Sequence, residues 1–168
     1  MKRAQEFVRA KREAFNTAYY AMKGESLQGV KIGEVVDKLV EDHYGLEPIT
    51  FDWDHAKNRD PGDQYNFVWR DVQMSGDVGM LQAQLEGSSR AGDTFEIKGS
   101  TLTVKFFTSR NTPEQRQAQW DQIKAHWEGA AADALKEAKR ERDSDISFAK
   151  QHLAKVAQNY RDKNQPLP

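Results

Sequence analysis

Apolar residues recur with helical spacing near both ends of the chain and at every second position between them. Ala4, Phe7, Val8, Ala14, Phe15, Ala18, Tyr19 and Met22 gather on one side of a helix over residues 2–22, with Gly24 as its stop. Ile32, Val35, Val36, Leu39 and Val40 follow the i, i+3, i+4, i+7, i+8 rule and predict a second helix over 31–44, ended at Gly45. Past Pro48 the period changes. Ile49, Phe51 and Trp53 alternate with Thr50, Asp52 and Asp54, as in a half-buried strand. Turn residues fill 58–63. Tyr65, Phe67 and Trp69 then oppose Val68, Val72 and Met74, predicting a strand buried on both sides. Met80–Leu85 fits either a strand or a short helix, and Gly87–Asp93 reads as a turn. Phe95 and Ile97, followed by Leu102, Val104 and Phe106, predict a hairpin turning at Gly99-Ser100.

The helical period returns at Thr112-Pro113-Glu114, where Thr suits the N-cap and Pro the first helical position. One apolar stripe runs through Trp120, Ile123, Trp127, Ala131, Leu135 and Ala138, and another through Ile146, Ala149, Leu153, Val156, Ala157 and Tyr160. The charged segment Lys136–Asp145 separates them, and Ser144 or Asp145 suits a second cap. The pattern leaves open whether 112–162 is one helix or a hairpin of two. The architecture expected is a single α+β domain over 1–163. It has helices 2–22 and 31–44, an antiparallel sheet of about four or five strands within 48–107, and the helical arm 112–162. The tail 164–168 reads either as the start of a linker, making the chain the N-terminal part of a longer bacterial protein, or as a frayed end.

Composition narrows the function classes. The aromatic content, 10% of 168 residues, argues against disorder. A net charge of −1 gives no general attraction to nucleic acid or an anionic membrane. The charge is uneven: residues 1–23 carry six Lys/Arg against two Asp/Glu, and residues 24–65 carry four against ten. With no cysteine, disulfides, thiolate catalysis and Cys-ligated metals are excluded. No apolar run approaches the length of a membrane span, and the basic start lacks the apolar stretch of a signal peptide, so a cytoplasmic location is expected.

Candidate chemistry is sparse. Asp52, Asp54 and His55 are the densest set of metal-ligating types, and on a strand the two carboxylates share a face about 7 Å apart. His43, His126 and His152 lack the i, i+4 spacing of a helical zinc site. Glu96-Ile97-Lys98 has the E-x-K spacing of, and so resembles, the PD-(D/E)xK nuclease superfamily. The resemblance implies a metal-dependent nuclease with Glu96 as metal ligand and Lys98 activating water, and Asp77 or Asp93 would supply the remaining acid. The chain departs from that pattern in carrying Asp60-Pro61 in reversed order. Arg70, Arg90, Lys98, Lys105 and Arg110, with Trp69 or Phe107 as stacking platforms, outline a nucleic-acid surface on the sheet. Trp120 and Trp127, seven residues apart on one stripe with Leu135 and Leu153 further along, are candidate partner anchors. The function expected is a non-catalytic protein-interaction or oligomerisation domain without a cofactor, pairing with itself or another protein chain. A metal-dependent hydrolase or nuclease is the alternative, and a nucleic-acid-binding module comes third.

Overall fold

The structure, a computed structural model, describes residues 2–59, 66–81, 94–108 and 112–166. The Gly87–Asp93 turn, the 60–63 part of the first turn, Tyr65, Arg90, Arg110 and residues 82–85 lie outside these. The fold is α+β. Helices α1 (Lys2–Tyr20) and α2 (Ile32–His43) precede strands β1 (Thr50–Phe51), β2 (Lys57–Arg59), β3 (Phe67–Ser75), β4 (Phe95–Lys98) and β5 (Thr101–Phe107), and helix α3 (Pro113–Lys163) follows. Short 3-10 turns occupy Gly24–Leu27 and Trp53–His55. The chain packs as two compact units, Met1–Leu46 with Glu137–Pro168, and Glu47–Lys136.

The first unit joins α1, α2 and the later part of α3. Its interior holds Val8, Phe15, Tyr19, Leu27, Val36, Tyr44, Ala149, Leu153 and Ala157. Phe15 meets Tyr19 and Tyr44 edge-on at centroid distances of 5.2 and 5.6 Å. The small residues Ala149 and Ala157 flank Leu153 at helical spacing on α3. Gly24 makes a close approach to the same helix: a Cβ there would lie 2.5 Å from the Cβ of Tyr160. The Gln28 amide donates to the carbonyls of Gly24 and Ala157, at 2.8 and 3.2 Å.

α3 is one helix of 51 residues, which settles the choice the sequence left open. Lys136–Asp145 contains no Gly or Pro, and most of its residues are good helix formers. Asp145 caps nothing. It sits inside the helix, with its carboxylate engaged by side chains of α1 and of the residue after α2.

In the second unit the sheet runs β1-β3-β5-β4, with β2 also pairing β3, all antiparallel. The strand expected over 49–54 is interrupted. Phe51 opposes Met74 and Lys57 opposes Asp71, so six steps along the edge match three along β3. Three residues are bulged out, and the 3-10 turn Trp53–His55 takes them up. One face of the sheet carries Val68, Arg70, Val72 and Met74 of β3, opposite Phe106, Val104, Leu102 and Phe51. Phe106 and Phe95 on this face pack edge-on against Trp120 and Trp127 of α3, at 5.9 and 4.9 Å.

Local chemistry sets the ends of these elements. Gly99-Ser100 closes the β4–β5 hairpin as expected. Gly76 ends β3 with φ +87°, and a Cβ there would fall 2.0 Å from the Pro48 carbonyl oxygen, so no other residue fits. At the start of α3, the Thr112 hydroxyl accepts from the Gln115 N–H at 3.2 Å while the Gln115 side chain accepts from the Thr112 N–H at 2.8 Å. That reciprocal pair is a capping box with Pro113 as the first helical residue.

Candidate functional site

The bulge rearranges the Asp52, Asp54 and His55 set. A 3-10 turn has three residues per turn, so positions i and i+3 eclipse and alternate residues no longer share a strand face. Asp52 and His55 therefore meet, with Nδ1 2.8 Å from the carboxylate. The hydrogen bond to Asp52, then its charge, holds the His55 imidazole above its ordinary value. Asp52, Asp54 and His55 are exposed, and among the described residues no group of three or more His, Cys, Asp or Glu stands close enough to hold a metal. Glu96 and Lys98 pair with each other at 3.1 Å on the exposed face of β4. Asp77 accepts from the Glu47 N–H at 2.8 Å, and Asp93 lies outside the described residues.

The four residues expected to anchor a partner mostly serve their own fold. Trp120 is 8% exposed, Trp127 4% and Leu153 0%, with Leu135 half-buried. The sheet covers the tryptophans: Trp53 meets Trp120 edge-on at 5.6 Å, and its indole N–H donates to Glu128 at 2.9 Å. Gln119, the residue before Trp120 on α3, bonds both backbone groups of Phe107.

A polar cluster in the first unit replaces the apolar stripe of α3 at 141–145. Arg12 Nε donates to Asp145 at 2.7 Å and its NH2 group to Glu141 at 3.3 Å. The Tyr44 hydroxyl donates to the same Asp145 oxygen at 2.7 Å. Arg142 reaches the Tyr44 carbonyl at 3.4 Å. Desolvation pulls the Arg12 guanidinium down, but the hydrogen bond and charge of Asp145 outweigh it and hold it above its usual value. Burial, then Asp145, pushes the Tyr44 phenol up. Arg12 bridges both acids and the Tyr44 hydroxyl adds a hydrogen bond to Asp145, so the cluster is a clasp between helices rather than a poised acid–base pair.

Sequence reasoning missed a groove beside α2. Of its five stripe residues only Val36 is buried, while Ile32, Val35, Leu39 and Val40 keep partial exposure. With Met22 and Val30, which is 45% exposed, Val35 and Leu39 line a groove of about 610 Å³. Lys31, Glu34, Lys38 and Asp42 form its rim. Lys31 pairs with Glu34 at 3.1 Å and Lys38 with Asp42 at 3.7 Å. The signal was present in the sequence: Val30 and Met22 are apolar residues in a loop and at a helix end, next to a stripe wider than one neighbouring helix covers.

The nucleic-acid surface is also redrawn. Arg70 belongs to the helix-facing side of the sheet, its guanidinium 3.8 Å from the Phe106 ring centroid and 4.7 Å from Trp120. Burial lowers its pKa. The opposite face gathers Phe67, Trp69 and Phe107 around the Lys105 ammonium, at 4.1, 5.9 and 5.6 Å. Lys98 is on this face, and Arg90 and Arg110 lie outside the described residues. Among the described residues no helix is long and apolar enough to cross a membrane. No protein-family model, curated protein or solved structure matches the chain.

Proposed function

We propose that the protein is a non-catalytic interaction domain that binds another polypeptide through the groove beside α2. The carrying observation is the half-covered α2 stripe: Val35, Leu39, Val30 and Met22 form a contiguous apolar trough framed by charges. Soluble domains bury such a stripe on a neighbouring element or on a partner. A charged rim around an apolar centre is how interfaces exclude water while fixing register. The candidate catalytic groups support this reading in that Glu96, Lys98, Asp52 and His55 are exposed and paired locally. A photo-reactive benzoylphenylalanine at Val30, irradiated in the producing cell, should give a covalent protein adduct whose yield falls when Val35→Glu is added. No adduct above background, or one indifferent to Val35→Glu, overturns the reading.

A second reading has its own support. The Phe67, Trp69, Phe107 and Lys105 group combines ring faces with a cation, as single-strand binders do. Trp69→Ala and Lys105→Ala should each weaken binding of a labelled oligonucleotide, and moderate salt should weaken it further. An oligonucleotide that gives no anisotropy change with the unaltered protein removes this reading.

A further inference from the structure

On the helix-facing side of β3, Arg70 stands between Val68 and Val72 and opposite Val104. Its guanidinium is backed by the buried rings of Phe106 and Trp120, at 3.8 and 4.7 Å from their centroids. Arg12 and Arg59 each grip a carboxylate, but among the described residues none reaches Arg70. Nε donates to the Asn58 side-chain oxygen at 2.8 Å, which orients the fork and leaves its two terminal NH2 groups unbonded. Neither is sealed from water: among the described residues, Arg142 Nε alone is a buried side-chain nitrogen or oxygen without a partner. A second cation approaches the same ring. Lys124, one turn beyond Trp120 on α3, brings its ammonium to 5.9 Å from the Trp120 centroid. The acids at i−3 and i+4 from it, Asp121 and Glu128, form no ion pair with it; they accept from Gln117 and from the Trp53 indole, both at 2.9 Å. Asp52 pairs with His55, and Asp54 is exposed in the same turn. Asp71, next on β3, faces the other side of the sheet and is held by Arg59 and Thr103.

Two cations beside one ring repel each other, and neither has an acid to offset the water it gives up. For the fold alone an apolar residue at 70 would serve better, since a charge drawn out of water needs a partner. A fork held by a ring and an amide, with its end open to solvent, is preorganised for the planar two-point grip of an oxyanion. The second charge, from Lys124, selects a dianion. A phosphomonoester carries about −1.5 to −2 near neutral pH, whereas a carboxylate or a phosphodiester carries a single charge. We infer that the open fork of Arg70, with Lys124 and Asn58 beside it, is a binding site for a phosphomonoester group. The phosphate oxygens accept from the two terminal NH2 groups of Arg70, the Asn58 amide NH2 is a further donor, and Lys124 supplies the second charge. This site is independent of the groove beside α2, which belongs to the other compact unit, so either stands if the other fails.

The full chain, labelled with nitrogen-15, is titrated with phenyl phosphate at constant ionic strength while the Arg70 Nε–H and Trp120 indole N–H resonances are followed. Both should shift to saturation, half-complete at about 1 mM or below. Dimethyl phosphate, a monoanionic diester, should bind about tenfold more weakly or worse. Arg70→Met keeps a stem to pack on Phe106 but loses fork and charge, and should weaken binding by about tenfold or more, read from Trp120. Arg70→Lys keeps the charge without the fork and should also lose most of the binding; it serves in place of Arg70→Met if that variant does not fold. Lys124→Gln should weaken binding about threefold. Shifts that dimethyl phosphate or sodium chloride reproduces, that bypass Arg70 and Trp120, or that survive both Arg70 variants overturn the site. The same group occurs on small molecules and on phosphorylated side chains. A blocked phosphoserine peptide that binds more tightly than phenyl phosphate upholds the site and places the group on a polypeptide. One that fails where phenyl phosphate binds upholds the site and places the group on a small molecule.

Discussion

Replacing Asp145 by Ala tests the clasp that interrupts the stripe of α3. Two hydrogen bonds end on this carboxylate, from Arg12 Nε and from the Tyr44 hydroxyl, both 2.7 Å. A hydrogen bond to a charged partner is worth about 1.5–3 kcal/mol, and one left unmade inside costs a similar amount. Arg12 and Asp145 side chains keep 25% and 21% of their exposure, so water screens part of that loss. Tyr44 is fully buried, so its hydroxyl finds no such relief. The expected destabilisation is about 2–4 kcal/mol for Asp145→Ala. Asp145→Asn, which keeps an acceptor but not the charge, should cost about half of that. Urea unfolding followed by far-ultraviolet circular dichroism is the assay. Tryptophan emission is less apt, because Trp53, Trp69, Trp120 and Trp127 all belong to the unit Glu47–Lys136. Asp143→Ala, exposed on the same helix, is the control and should stay within about 0.5 kcal/mol of the unaltered protein. If Asp145→Ala also stays within that margin, the clasp contributes nothing net and the argument fails.

Three further outcomes follow from the geometry. Gly76→Ala should destabilise the sheet unit by at least ~2 kcal/mol, since φ +87° and a Cβ 2.0 Å from the Pro48 oxygen both oppose it; an unchanged thermal midpoint refutes the close approach. Trp120→Ala should cost about 3–5 kcal/mol in urea, because it empties the space between Phe106 and Trp53; a loss below 1 kcal/mol returns Trp120 to the list of partner anchors. His55 should titrate by NMR above 6.5, and Asp52→Asn should bring it back, since the Asp52 carboxylate favours the protonated ring. Because the folded value is raised, this contact helps most below pH 6.5 and fades as pH rises through the folded midpoint. A midpoint unmoved by Asp52→Asn contradicts the 3-10 geometry.

Much of the fold was legible because its signals are local. The α2 stripe, the hairpin at Gly99-Ser100 and the Thr112-Pro113 start each depend on residues a few positions apart, and each forms where expected. The interruption after Phe51 was not legible. Alternation at 49–54 is that of a strand, and only the register against β3 reveals three residues too many. The middle of α3 misled in the opposite way. Glu141, Arg142 and Asp145 look like a break in an apolar stripe, and what makes them compatible with burial is Arg12 and Tyr44, more than 90 positions away in sequence. The same reason explains the anchors: a stripe states that Trp120 and Trp127 need cover, and the partner rings Phe95, Phe106 and Trp53 are distant in sequence.

The division of α3 between two units has a consequence for biosynthesis. The unit that begins at the N-terminus is finished only by residues from Glu137 onward, with all of Glu47–Lys136 made in between. At about 5–20 residues per second that interval lasts roughly 5–18 s for the 47–136 stretch. During it, Phe15, Tyr19 and Tyr44 emerge without the helix that will roof them, while the described strands of the sheet are all made once residue 107 is reached. Nascent chains stalled within that interval should therefore bind holdase chaperones through α1 and α2.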